Sequence, residues 1–299
     1  MRCSQIQKRT VLTYRVQRII MGTNATTLVV TNKTPGILGA PLTVFKRINK
    51  HRRLVKHLIV RDLKVTYHGT LIGWGWTMVE PLALTGVYWL VFSLLRGNDD
   101  YLFVLEILLG VLAYGMFSQI FSRTTTAIVG NSGLIKQVAI PREVFLWSIG
   151  GFQVLRFFLS SLIIPPLLLL MGMDLNPTLI LIPLVPIGIL SLSMGLGMIT
   201  SILHTHIRDT SHVVSILIAA GFFLSGVFFG MKHIDPQYHD LFALNPMAVY
   251  IEILRALATG NFDILSSEYI IQTVISSILI LLIGSIVFVR HEAQAIKNL

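Results

Sequence analysis

The sequence contains few charged residues for its length. Of its 299 residues, 13% are charged and 54% are hydrophobic. Soluble domains carry about 25% charged residues, so this chain has roughly half the charge that a water-facing surface needs. The composition therefore predicts an integral membrane protein. Cysteine is nearly absent, and the single Cys3 excludes an internal disulfide.

Nucleotide-binding motifs are missing. A Walker A loop needs Gly-Lys before Ser or Thr, and Gly-Lys never occurs in the chain. The G-x-G stretches at 73–75 and 195–197 lack the third glycine of a dinucleotide-binding loop. His204, His206 and His212 flank a loop without a nearby cysteine, so we interpret them as polar loop residues. We expect no cofactor and no metal site on this chain.

Long apolar segments recur along the chain. A helix needs about 20 mostly apolar residues to cross the hydrocarbon core of a bilayer. Six segments meet that length and are predicted as spans: 72–95, 102–122, 144–171, 178–203, 212–230 and 269–289. Prolines inside some of them do not exclude a span, because membrane helices tolerate kinks. The expected fold class is an all-α integral membrane protein with six transmembrane helices.

The basic residues are unevenly distributed. The net charge is +10, and 14 of the 24 Lys and Arg residues lie in residues 1–68 with one acid, Asp62. Such a membrane-proximal arm favours an anionic leaflet rather than nucleic acid. With both termini in the cytoplasm, the predicted inner segments hold 20 of the 24 basic residues and the outer segments three. Both termini are therefore predicted to be cytoplasmic.

The N-terminal region divides into two parts before the first span. Residues 1–45 are basic and lack a sustained period, which predicts a disordered extension. Residues 46–68 place apolar side chains at approximately helical spacing among basic ones, which predicts an amphipathic interface helix. The remainder, 69–299, is predicted to form the transmembrane domain.

A short helix is predicted in the outer segment before the last span. Asn245 is a suitable N-cap, Pro246 suits the first helical position, and Gly260 is a natural stop. Glu252 and Arg255 are three residues apart and can pair on one face. The helix is too short to span a membrane. A re-entrant helix is the preferred interpretation, and a helix lying on the outer surface is the alternative.

Glu80 and Arg156 are ionisable side chains inside the first and third predicted spans, at comparable depth. A charge in lipid is costly, so each should face protein or water. A structural ion pair and contact with a polar substrate are both open.

Aromatic side chains cluster near the span ends. Trp89, Tyr114, Phe117, Phe222 and Phe223 are candidates to line a path for sugar rings. The alternative is the aromatic enrichment common at membrane interfaces.

Four segments, in this order, resemble one known family. They are RDLKVTYHGTLIGWGWTMVEPL at 61–82, NSGLIKQVAIPREVFLW at 131–147, HIRDTSHVVSILIAAGFFLSGVFF at 206–229 and LNPMAVYIEILRALATG at 244–260. The chain resembles the membrane (permease) subunit of a type-2 ABC exporter, in the polysaccharide and O-antigen export group. It departs from the family pattern in its long N-terminal extension and in Lys136-Gln137, where two basic residues are common.

The resemblance implies a transport subunit without enzymatic activity, in the cytoplasmic membrane of a bacterium. Two copies would form the pore, and two separate ATPase subunits would bind MgATP. The cargo would be a lipid-linked polysaccharide of the O-antigen or cell-wall galactan type. The residues expected to couple to the ATPase are Arg61, Asp62, Lys64, Lys136, Pro141, Arg142, Glu143, Arg208 and Asp209.

Other functions remain open. A type-2 exporter of teichoic acid, drug or lipid is the near alternative. A membrane-embedded glycosyl- or acyltransferase would need clustered acidic or histidine side chains on one side of the membrane, and the carboxylates here are scattered. A membrane scaffold without a transport role is the third alternative.

Overall fold

The protein is described by a computed structural model that covers residues 39–96, 101–137 and 140–297. Within these ranges it contains α-helices and short 3₁₀ turns and no β-strand, which confirms the predicted all-α class. The helices are α1 (Ala40–Lys50), α2 (Arg52–Tyr67), α3 (Trp76–Arg96), α4 (Tyr101–Gly130), α5 (Ser132–Gln137), α6 (Glu143–Ser161), α7 (Ile164–Leu170), α8 (Val185–His206), α9 (Thr210–Leu224), α10 (His239–Ala243), α11 (Pro246–Thr259) and α12 (Ser267–Lys297). The 3₁₀ turns are Gly73–Gly75, Pro177–Leu184, Met231–His233 and Pro236–Tyr238.

Five helical stretches in the described residues are long and apolar enough to cross a membrane. They run over Gly73–Leu94, Leu102–Gly130, Glu143–Leu170, Pro177–His206 and Ser267–Ala295. These stretches match predicted spans one, two, three, four and six, with ends that differ by several residues. The third combines α6 with α7, which begins at Ile164 just before two prolines. The protein is therefore a multi-pass membrane protein.

Helix α4 lies at the centre of the bundle. About two thirds of the residues in its most apolar stretch are buried. The helix packs against α3, α6, α8, α9 and α11. Helix α8 packs between α4 and α12. A Cβ added at Gly195 on α8 would lie 2.5 Å from the carbonyl oxygen of Ile280 on α12. The small residue therefore lets the two backbones approach closely, as small residues do between membrane helices.

The predicted end of the fifth span is wrong. Helix α9 has 15 residues, which is about 22 Å and shorter than a hydrocarbon core of about 30 Å. From Ser225 the chain leaves the helix, and Gly226 adopts the left-handed conformation with φ of 67°. The apolar sequence continues to Phe229, so hydropathy carries no signal for this end.

The short helix before the last span is present as predicted. The Asn245 side chain accepts a hydrogen bond from the backbone N–H of Met247 at 3.0 Å, and Gly260 closes α11 with φ of 76°. Helix α10 precedes α11 at a bend of 112°. This sharp bend fits a re-entrant element, because a straight span would need collinear helices.

The predicted interface helix is found as two helices. His51 separates α1 from α2, and its backbone is not helical (φ −103°, ψ 19°). The first helix begins at Ala40, six residues before the predicted start at 46. Residues 40–45, which were predicted to be disordered, are therefore helical. The rest of the predicted extension, 1–38, lies outside the described residues.

Candidate functional site

A cavity of about 760 Å³ lies between α3, α4, α6 and α9. Its polar lining consists of Thr77, Glu80, Ser118, Gln119, Gln153, Arg156 and Ser160. Its aromatic lining consists of Tyr88, Phe92, Tyr114, Phe157, Phe222, Phe223 and Phe228. Glu80 and Phe92 are 12 residues apart on α3, a rise of about 18 Å. The cavity therefore runs along the bundle from a charged level to a level rich in rings.

The charged level contains an ion pair. A guanidinium nitrogen of Arg156 on α6 donates a hydrogen bond to a carboxylate oxygen of Glu80 on α3. The Glu80 side chain is 56% exposed and that of Arg156 is 21% exposed, so the pair borders open space instead of being sealed in the core. The structural ion pair proposed from the sequence is therefore present. Both side chains also line the cavity, so contact with a polar substrate stays a prediction.

Neutral polar groups lie beside this pair. The Ser160 hydroxyl donates to the carbonyl oxygen of Thr77 at 2.6 Å, which ties α6 to the first turn of α3. Gln153 is 2% exposed, and its amide nitrogen has no hydrogen-bond partner among the described residues. A buried donor without a partner is costly, so Gln153 Nε2 marks a place for a further acceptor.

The aromatic level is a contiguous cluster of rings. The Phe228 ring centroid lies 5.0 Å from that of Tyr88, 4.8 Å from that of Phe92 and 5.2 Å from that of Phe222. These separations are typical of favourable ring pairs. Phe228 comes from the turn after α9, so the early end of that helix allows the chain to place this ring across the cavity.

Three of the five aromatic candidates from the sequence line the cavity: Tyr114, Phe222 and Phe223. The other two are not part of the lining: Phe117 is buried in the core, and Trp89 is partly buried against it.

The five candidates did not include Tyr88, Phe92, Phe157 and Phe228, which also line the cavity. The spacing of Tyr88 and Phe92 carried a usable signal, because residues four apart share one helix face.

The outer segment is held by a buried arginine. Arg255 is 6% exposed and donates to Glu252 Oε1 at 2.7 Å, as the sequence predicted. It also donates to four backbone carbonyl oxygens. These belong to Gly226 (2.9 Å), Val227 (3.0 Å), Phe229 (3.2 Å) and Glu106 (3.1 Å). One side chain therefore satisfies three carbonyl acceptors of the segment that follows α9 and one of α4.

A second ion pair in this region was missed. Lys232 Nζ donates to Glu106 Oε1. Glu106 lies four residues after the predicted start of the second span. A charged residue inside a predicted span indicates a polar partner, so this pair could have been expected from the sequence. In the described residues, no three His, Cys, Asp or Glu side chains lie close enough to hold a metal ion.

Most of the residues expected to couple to an ATPase are accessible. Lys64 on α2, Lys136 on α5 and the pair Arg208 and Asp209 before α9 are exposed. Arg61 and Asp62 pair with each other at 2.7 Å on the surface of α2. Pro141 is half-buried just before α6. Their coupling role stays a prediction.

Glu143 and Arg142 are placed differently. Glu143 is fully buried and accepts a hydrogen bond from Arg47 of α1 at 2.6 Å. Arg47 also donates to Glu292 of α12 at 3.0 Å, and Arg142 lies 3.7 Å from Glu292. The two acids raise the pKa of Arg47, against the lowering effect of its burial. This cluster joins α1, the start of α6 and the end of α12, so Glu143 offers no surface to a partner.

Comparison with known proteins agrees with this architecture. The sequence model of the ABC-2 type transporter family matches residues 53–258. The chain belongs to the ABC-2 type transporter family. The matched region begins within α2 and ends one residue before the end of α11, so it contains the cavity and nearly all of α11.

Curated ABC-2 relatives cover most of the chain. The O-antigen export system permease protein RfbA of Myxococcus xanthus is 27% identical over 72% of this chain and 84% of its own length. RfbA of Klebsiella pneumoniae is 25% identical over 76% of this chain and 88% of its own length. The polysialic acid transport protein KpsM of Escherichia coli is 23% identical over 67% of this chain and 79% of its own length.

Proposed function

We propose that this chain is the membrane-spanning permease subunit of an ABC-2 exporter. Its cargo is a lipid-linked polysaccharide of the O-antigen or cell-wall galactan type, moved outward across a bacterial cytoplasmic membrane. The observation that carries the proposal is the 760 Å³ cavity with ring faces above a charged pair, in a chain whose relatives are named for O-antigen and polysialic acid transport.

The cavity lining suits a sugar chain. Sugar rings present apolar faces to aromatic side chains and hydroxyl groups to polar ones. The cluster of Tyr88, Phe222 and Phe228 offers flat apolar surfaces without strong directional bonds, so a chain can slide past it. Glu80 and Arg156 offer charged hydrogen-bonding groups. A purely lipid or drug cargo has fewer hydroxyl groups than a sugar chain to form hydrogen bonds with Glu80 and Arg156.

Two copies of the chain and two ATPase subunits form the working unit in this proposal. The absence of Gly-Lys from the chain favours an ATPase on a separate subunit, which holds MgATP. A homodimer would extend the open cavity across two protomers. The excess of basic residues in the predicted inner segments supports cytoplasmic termini and an ATPase contact at α2, α5 and the loop at Arg208.

Transport follows from a shift between conformations rather than covalent chemistry. ATPase closure favours one geometry of the contact surface over another, and a ligand shifts an equilibrium only through such differential binding. Helices α2 and α6 pack together, with Ile59 of α2 against Gly151 of α6. Movement at the surface of α2 thus reaches Arg156 on α6, the side of the cavity that carries the charged pair.

Co-purification tests the proposal. The tagged full chain is extracted from its native membrane in mild detergent, and bound proteins and lipids are identified by mass spectrometry. We expect an ATPase subunit in a two-to-two complex together with a lipid-linked glycan. Recovery of a lipid-linked teichoic acid instead would move the cargo to the near alternative. Recovery of the chain alone with a glycosyl donor would favour the transferase.

A further inference from the structure

One face of helix α1 is buried against the bundle. Ala40 and Val44 are 1% and 3% exposed and belong to the core, and α1 packs against α12 and α6. Arg47, on the same side, donates to Glu143 and Glu292 at 2.6 and 3.0 Å. The rotation of α1 about its axis is therefore fixed, and its opposite face is presented outward in a defined way.

The position of α1 along the bundle follows from its partner on α12. Glu292 is 25 residues after Ser267, the first residue of α12. At about 1.5 Å per residue this is a rise of about 37 Å. The hydrocarbon core of a bilayer is about 30 Å thick and is flanked by headgroup layers. With Ser267 at one membrane surface, Arg47 and its helix lie at the level of the lipid headgroups of the other, at the end of the bundle where α12 ends.

The outward face of α1 combines apolar and basic side chains. Leu42 and Phe45 are 61% and 69% exposed. Lys46 follows Leu42 by four residues and Lys50 follows Lys46 by four, so these three form one row along the helix, with Phe45 beside it. Apolar and basic side chains that lie next to each other on an exposed face are typical of helices in the plane of a membrane surface.

The basic row continues across the break at His51. An open concavity of about 580 Å³ is lined by Lys46, Asn49, Lys50, Arg52 and Arg53, all of which are exposed. In the part of the chain that the structure describes, none of its four cations has a carboxylate partner, whereas Arg47 on the inward face has two. The surface thus carries four positive charges for an anion from outside.

We propose that this concavity binds the phosphate headgroup of an anionic bilayer lipid, with Leu42 and Phe45 in contact with its acyl chains. Charge complementarity and the headgroup-level position both favour a lipid phosphate, because juxtamembrane basic clusters attract anionic leaflets. A water-facing protein partner would leave Leu42 and Phe45 without an apolar environment. The bound lipid fixes α1 and, through Arg47, the buried Glu143 at the start of α6. This inference does not depend on the identity of the cargo.

Native mass spectrometry of the purified full chain in detergent tests the site. Phosphatidylglycerol and phosphatidylcholine are titrated separately, and bound lipid is counted. The variant Lys46→Gln/Lys50→Gln/Arg52→Gln/Arg53→Gln removes the four cations. The control Lys56→Gln/Arg123→Gln/Arg290→Gln removes three exposed cations that lie outside both this site and the predicted ATPase contact. An unchanged thermal unfolding midpoint confirms that each variant folds.

We expect the wild type and the control to retain phosphatidylglycerol in preference to phosphatidylcholine, and the site variant to bind it at least tenfold more weakly. Equal retention by the site variant and the wild type overturns the proposal. Displacement of the lipid by an equimolar amount of inorganic pyrophosphate assigns the site to a diphosphate instead. Unchanged lipid binding with loss of a co-purifying ATPase assigns the surface to that partner. Either of these last results also contradicts the proposal.

Discussion

Arg255 joins α11 to the segment that follows α9, and replacing it with methionine tests this role. The guanidinium donates to Glu252 and to four carbonyl oxygens from residues 106, 226, 227 and 229. Methionine keeps much of the volume of the side chain but donates no hydrogen bond. The variant therefore leaves one carboxylate and four carbonyl groups without this partner in a site where Arg255 is 6% exposed.

The expected loss is large. Hydrogen bonds to charged groups contribute about 1.5–3 kcal/mol each, and breaking a buried ion pair costs about 3–5 kcal/mol. These terms overlap and are not additive. Glu252 also keeps its hydrogen bond from the backbone N–H of Met231 at 3.1 Å. We therefore expect Arg255→Met to lower the free energy of unfolding by about 3 kcal/mol.

Unfolding of the purified protein in mixed micelles, titrated with sodium dodecyl sulfate, measures this loss. Arg290→Met, at an exposed position on α12, is the matched control and should cost under about 0.5 kcal/mol. Arg255→Lys keeps the charge but not the planar fork, so its loss should be smaller than that of methionine. A loss below about 1 kcal/mol for Arg255→Met would refute the claim that this side chain stabilises the segment that follows α9.

Three further predictions concern transport, each read out as glycan at the cell surface. Glu80→Arg or Arg156→Glu alone should reduce export, because each places like charges together, and the double swap should recover part of it; equal defects in all three would contradict a paired role. Phe228→Ala should leave ATP hydrolysis intact but change the length or rate of exported glycan, whereas an unaltered product would remove the ring cluster from the path. Pro141→Ala with Arg142→Glu should uncouple ATP hydrolysis from export without loss of membrane insertion, and normal export would rule out this coupling element.

Elements governed by local sequence were predictable. The cap at Asn245, Pro246 and the stop at Gly260 define α11 within its own 16-residue stretch, so its bounds were predicted to one residue. The five long spans followed from hydropathy, since each contains enough apolar residues by itself. The pairing of Glu80 with Arg156 could be proposed from depth alone, because the first and third spans run in the same direction and place the two residues at comparable depth.

Features that depend on distant residues were not predictable. The segment that follows α9 is bound by Arg255, which is 26 to 29 residues away from the carbonyl groups that it contacts there. The ion pairs of Arg47 join residues 96 and 245 positions apart, so the sequence predicts Glu143 as an ATPase contact although the side chain is buried. Which aromatic rings line the cavity could not be predicted either, because Tyr88 lines it and the next residue, Trp89, does not. Only the packing of the helices distinguishes the two.

Reconstituted transport tests the central claim most directly. The chain and its co-purifying ATPase are placed in liposomes with a lipid-linked glycan, and glycan that becomes inaccessible to an external glycosidase is measured with and without MgATP. The account predicts protection that requires MgATP, this chain and the ATPase together. Protection at the same rate without this chain, or without ATP hydrolysis, would contradict it.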